Sequence, residues 1–189
     1  MKNIFSLFLL ITISSKSFCQ STFGKKEFIY GTMVGSSDTL VGYFWFDNQI
    51  NQFGQTVHFK KDLNSGKKKV FQSHKYKFFQ NDSIYLETFV TEPNATGELR
   101  FMLPRIINGK IQLFESKYKW GYFNMFTSER FYIKAPGEKA QVKKKNFKQL
   151  MKRVLADDED LVKKIDNNEL QFDDLPEIVT KYNSRHLLD

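Results

Sequence analysis

From Phe28 to Lys134 the chain alternates short β-branched and aromatic runs with clusters of turn-forming residues, the pattern of an antiparallel β-structure. Phe28–Val34 and Thr39–Phe46 flank Gly35-Ser36-Ser37-Asp38 and read as a hairpin. Thr56–Lys60, Lys69–Phe71, Ser83–Val90, Leu99–Ile107, Lys110–Phe114, Tyr118–Phe123 and Arg130–Lys134 follow, and Pro136-Gly137 closes the set. Asn108-Gly109 is the strongest local hairpin signal, because Asn-Gly reaches positive φ at low cost. Eight or nine strands at this spacing, with no helices between them, predict an antiparallel meander folded as a sandwich or a partly open barrel. The alternation of Arg130, Tyr132 and Lys134 with Phe131 and Ile133 predicts one wet and one buried face. Tyr43-Phe44-Trp45-Phe46 is apolar on both faces and calls for a cover, which the C-terminal segment is placed to provide.

The period changes after residue 145. Phe147, Leu150, Met151, Val154 and Leu155 fall on one face of a helix with Asn146 as its N-cap. Asp157-Asp158-Glu159-Asp160 places acids in the first turn of a second helix carrying Leu161, Val162 and Ile165, where the helix dipole favours them. Asp174-Leu175-Pro176-Glu177 resembles a capping box opening a third helix with Ile178, Val179 and Tyr182. Helices this short are stable only when docked. The expected class is therefore mainly β, α+β overall, with a β-domain over residues 20–145 and two to three short helices over 146–189 packed on it.

The first nineteen residues stand apart. Lys2 precedes an apolar run from Ile4 to Ile13, and Ser17-Phe18-Cys19 offers small residues at −3 and −1 for cleavage before Gln20, as in a secretory signal peptide. The run is shorter than the roughly 20 residues needed to cross a bilayer. Phe18 and Lys16 occupy the places where a lipoprotein signal carries a small residue and Leu, so a lipid anchor on Cys19 is not expected. The sequence holds a single Cys. Cleavage after it leaves a chain without thiol chemistry, without transmembrane helix, and located in the periplasm or at the cell surface.

Charge changes the picture further. Residues 20–145 carry 20 Lys and Arg against 11 Asp and Glu, a net +9, and residues 146–189 carry 7 against 10, a net −3. For an exported protein such a basic body is either plain solubility charge on a β-domain or a surface for an anionic envelope component or another envelope protein, rather than for nucleic acid, for which no recognition motif is visible. Two aromatic-basic stretches form the candidate binding surface: Lys75-Tyr76-Lys77-Phe78-Phe79 and Lys117-Tyr118-Lys119-Trp120-Gly121-Tyr122. Rings stack on sugars while lysines meet anionic groups.

The signal ending in Cys19-Gln20, the block from Val70 to Phe89 with Asn81-Asp82-Ser83-Ile84-Tyr85, the Ile107-Asn108-Gly109-Lys110 turn and the tail Leu161-Val162, Ile178-Val179, Tyr182-Asn183 resemble secreted and periplasmic proteins of Bacteroidota. In those proteins an uncharacterised β-rich domain precedes a short helical tail. The resemblance implies export and this architecture; it implies no catalytic residues. Asp38-Thr39-Leu40 and Asp82-Ser83-Ile84 are also similar to the Asp-Ser/Thr-aliphatic acceptors of that group's periplasmic O-glycosylation.

No motif identifies an enzyme. His58, His74 and His186 are scattered without zinc-ligand spacing, and Asp166, Asn168 and Glu177 match an EF-hand register that fails at Leu170 and Gln171. Asp47, Glu87, Glu98, Glu115 and Glu129 lie on or beside strands with nothing to choose a pair among them. Neither metal nor cofactor is expected. The leading expectation is a non-enzymatic binding module with a basic β-surface. The alternatives are a lipocalin-like carrier of small ligands, whose Gly-x-Trp start is missing because Gly42 and Trp45 are one residue too far apart, and a hydrolase without a readable motif.

Overall fold

A computed structural model describes residues 27–51, 54–90, 100–120 and 126–186. Ten strands, β1 (Ile29–Gly35), β2 (Thr39–Asn51), β3 (Gly54–Lys60), β4 (Lys69–Gln72), β5 (Tyr76–Gln80), β6 (Tyr85–Val90), β7 (Arg100–Ile107), β8 (Gln112–Trp120), β9 (Phe126–Ala135) and β10 (Glu138–Val142), form one open antiparallel sheet. Their order is β10-β9-β8-β7-β6-β5-β1-β2-β3-β4. Three helices follow: α1 (Phe147–Val154), α2 (Glu159–Asp166) and α3 (Leu175–Arg185). The protein is mainly β with short C-terminal helices, as the sequence pattern predicts.

The sheet is rolled at both ends, and connectivity shows why. β4 lies four places from β5 in the strand order, yet a single 3-10 turn, Ser73–Lys75, joins them. Four strand spacings in a flat sheet amount to about 19 Å, whereas the chain from Gln72 to Tyr76 spans at most about 14 Å. Strands β1 to β5 must therefore coil until β4 approaches β5, and Phe71 meets Tyr76 at 4.8 Å between ring centroids. The coil encloses Met33, Phe44, Phe46, Val57, Phe59, Phe79, Leu86 and Met102. Gly31 and Gly42 are partners in the β1–β2 register; a Cβ on Gly31 would strike the Phe79 ring and one on Gly42 the Lys60 carbonyl oxygen.

β7 is buried on both faces: Met102 joins this first core, while Phe101 and Leu103 join a second with Phe89, Phe114 and Tyr132. A third core lies between β8–β10 and the helices, built from Leu113, Phe131, Ile133 and Val142 against Phe147, Leu150, Met151, Leu161, Ile165, Leu175, Ile178, Val179 and Tyr182. The helical faces read from sequence are the faces that dock.

Several local expectations are corrected. Tyr132 is fully buried, so the Arg130-Tyr132-Lys134 face is not simply wet: the sheet curls over it and packs Tyr132 against Phe89 and Phe101. The helices cover β8–β10 and not β2; on Tyr43-Phe44-Trp45-Phe46 the inward Phe44 and Phe46 are buried, and Tyr43 and Trp45 stay half-exposed. Pro136-Gly137 does not end the sheet but turns β9 into β10, pairing Ala135 with Glu138. The runs at 110–114 and 118–123 belong largely to one continuous strand, β8, and the Lys75–Phe79 stretch contributes β5. Asn146 holds the N-cap position of α1 as expected, but its side chain makes no cap bond: its Oδ1 accepts from the Lys143 N–H and its Nδ2 donates to the Gln141 carbonyl, closing the turn after β10. Asp174 accepts from the Gln171 N–H at 2.8 Å, which sets the capping interaction one short turn earlier than Asp174–Glu177.

Candidate functional site

Glu87 stands on β6 between Tyr85 and Phe89 in the two-residue repeat of that strand's inner face. Phe89 is a core ring of the second cluster, so a carboxylate at the neighbouring position is drawn out of water and needs compensation. Two lysines supply it. Lys139 Nζ donates to Oε1 at 2.6 Å, and Lys134 Nζ donates to Oε2 at 2.9 Å. The Tyr85 hydroxyl donates to Oε2 at 3.1 Å. Lys134 and Lys139 are directly paired across the β9–β10 hairpin. Their reach to β6, three and four strands away in the order, requires the second roll of the sheet. Lys139 Nζ also donates to the Thr88 carbonyl at 2.9 Å and sits 4.3 Å from the Phe89 ring centre.

Burial pushes the Glu87 carboxyl up, but the hydrogen bonds and charges of Lys139 and Lys134 outweigh it, and the net direction is below the ordinary carboxylate range. For Tyr85, burial and then the adjacent Glu87 charge push the phenol up to about 12, against a smaller opposing effect of Arg105. The Arg105 guanidinium lies 4.1 Å from the Tyr85 ring centre, and the Phe78 ring stacks on Tyr85 at 5.6 Å.

This carboxylate forms part of the wall of an open groove of about 500 Å³. Its cationic lining comes from four places: Lys75 on the 3-10 turn, Lys77 on β5, Arg100 on β7, and Lys134 and Lys139 from the β9–β10 hairpin, with His74 beside Lys75. Among the described residues Lys75 and Lys77 make no ion pair, and both are exposed. The groove thus carries more positive charge than Glu87 offsets.

The structure places one of the two sequence-derived aromatic-basic stretches here. Lys75 and Lys77 line the groove; Lys117, Tyr118, Lys119 and Trp120 occupy the far part of β8, opposite Glu129, Ser128, Thr127 and Phe126, where their side chains lie outside the described residues. Tyr122, Cys19 and Gln20 also lie outside them. Glu87, Tyr85, Lys134, Lys139, Arg100 and His74 carry the groove as well and were not singled out as binding residues. A signal for Glu87 exists in the sequence: it shares a strand face with Tyr85 and Phe89, so it needs a cation, but its partners lie about fifty residues onward. Both Asp38-Thr39-Leu40 and Asp82-Ser83-Ile84 begin at hairpin turns. Asp38 accepts from the Tyr76 hydroxyl, and Asn81 Oδ1 accepts from the Ser83 and Ile84 N–H groups.

Among the described residues no group of three or more His, Cys, Asp or Glu side chains is arranged to hold a metal ion, and no helix is long and apolar enough to cross a membrane. Fold and groove define a rolled, open-sheet β-protein with a basic surface cleft. No family model, no curated protein and no solved structure matches the chain.

Proposed function

We propose that this is an exported envelope protein acting as a non-enzymatic binding module, which receives anionic groups of an envelope partner in the basic groove. The cationic surplus around Glu87 carries this reading: two lysines are held in place by the carboxylate, while Lys75 and Lys77 are left to face an incoming charge. The chemistry of the clamp favours binding over catalysis. A carboxylate held ionised by two ammonium groups, beside a phenol that keeps its proton to about pH 12, has no proton to exchange near neutrality. Export rests on the N-terminal signal pattern and on the resemblance to secreted Bacteroidota proteins.

Calorimetric titration of the protein with inorganic pyrophosphate tests the groove. Binding that weakens roughly five- to tenfold in the Lys75→Gln/Lys77→Gln double variant, and weakens as salt screens the site, supports the reading. Affinity indifferent to both substitutions overturns it, and saturable uptake of an apolar fluorescent probe in place of pyrophosphate favours a small-ligand carrier.

A further inference from the structure

The outer face of β1–β4 is a second surface, separate from the groove and from the helix-covered cores. Strand register sets Tyr30 beside Tyr43 and Tyr43 beside Lys60, Thr32 beside Val41, and Trp45 beside His58 with Val70 next in line. Tyr30 is 56% exposed, Val41 50% and Val70 54%, and Leu63 in the β3–β4 hairpin is 46% exposed. Around this apolar strip the hairpin strands and loop, residues 54–72, carry Lys60, Lys61, Lys67, Lys68 and Lys69 against one acid, Asp62. Lys60 and Lys68 lie over the Phe28 and Trp45 rings at 5.4 and 6.0 Å. Burial, and then Lys68, pushes His58 down against a smaller effect of Asp47, so lysines rather than the imidazole carry the charge at neutral pH.

We propose that this face docks on an anionic lipid bilayer. Charge complementarity points to a polyanionic surface, and the apolar part selects lipid over a sugar or nucleic acid chain. Those chains stack on open ring faces, whereas the Trp45 ring is already stacked on His58 at 4.0 Å and 12° and meets Phe28 edge-on at 6.3 Å. The face offers an exposed tyrosine, valines and a leucine, which suit the boundary between headgroups and acyl chains, with lysines placed for the headgroups.

The test uses the Trp120→Phe variant, which leaves Trp45 as the chain's one tryptophan, so that the signal reports this face and not the apolar N-terminal run. Vesicles of equal parts phosphatidylcholine and phosphatidylglycerol with brominated acyl chains should quench Trp45, and pure phosphatidylcholine vesicles should not. Each lysine removed in Lys67→Gln, Lys68→Gln and Lys69→Gln should weaken partitioning about fivefold, and Tyr30→Ser/Val70→Ser should reduce quenching with the lysines intact. The Lys75→Gln/Lys77→Gln variant should keep more of its quenching than the hairpin variants, which separates this face from the groove. Equal quenching by neutral vesicles, no quenching by anionic ones, preferential capture by dextran sulfate, or concentration-dependent self-association that hides Trp45 overturns the proposal.

Discussion

Buried beside aromatic rings and clamped by Lys139 and Lys134, the Glu87 carboxylate is lowered below its ordinary pKa of 4.5. A carboxylate whose folded pKa is depressed contributes stability that is fully present above its unfolded value and is lost as pH falls through the folded one. Glu87→Gln should therefore remove part of the acid-range change in stability, seen as a flatter dependence of the unfolding midpoint on pH below about 4.5. At neutral pH the substitution should cost about 1–3 kcal/mol in denaturant unfolding, less than the roughly 3–5 kcal/mol of a wholly buried pair, because both lysines keep contact with water. Tyr85 gives a second check: absorbance titration of Tyr85→Phe against the parent should remove a phenolate that forms only near pH 12. Asn183 works by another route. Its Oδ1 accepts from the Ile111 N–H at 2.9 Å and its Nδ2 donates to the Ile111 carbonyl at 2.8 Å, so one side chain from α3 completes the backbone of the β7–β8 hairpin. Gly109 has φ 149°, and a Cβ there would meet Asn183. Asn183→Ala should cost about 1–3 kcal/mol by leaving the Ile111 groups unpaired, with faster amide exchange at Ile111 as the local readout.

Elements were legible where their cause is local. The faces of α1, α2 and α3 follow the helical repeat, and their apolar positions are the ones buried in the third core. Leu150→Ala should cost about 2–5 kcal/mol, measured by chemical denaturation. β10 was not legible, because Glu138–Val142 carries little β-branched character and is held as an edge strand by pairing with β9. The acid cluster shows both cases. Asp158 accepts from the Leu161 N–H as a helix cap, among the acids that the sequence places at the start of this helix. The same carboxylate receives two bonds of 2.8 Å from Arg185, and Asp157 takes Lys110 and Tyr182, which no local pattern reveals. These contacts tie the Asn108-Gly109 turn, the α1–α2 junction and the end of α3 into one joint. Arg185→Ala should therefore loosen α3 from α2 and raise amide exchange in Glu159–Asp166, while an isolated cap loss would be confined to Asp158–Leu161.

In the sheet as a unit, direct pairing and one roll together make the groove. β5 with Lys77 pairs directly with β6, and the 3-10 turn with Lys75 leads into it; the curl from β6 to β10 carries the β9–β10 hairpin back to Glu87. The sequence shows Lys75 and Lys77 because aromatic-basic alternation is visible within five residues. It hides Glu87, Lys134 and Lys139 because their meeting depends on the curl accumulated across β6 to β10. The same curl buries Tyr132 and defeats the prediction of a wet face. In a groove that selects anions by net charge, the Glu87 carboxylate opposes the ligand while stabilising the fold. Calorimetry with pyrophosphate on Glu87→Gln decides the matter: the variant should be less stable and bind roughly fivefold more tightly, and a folded variant that binds no better or more weakly refutes selection by net charge.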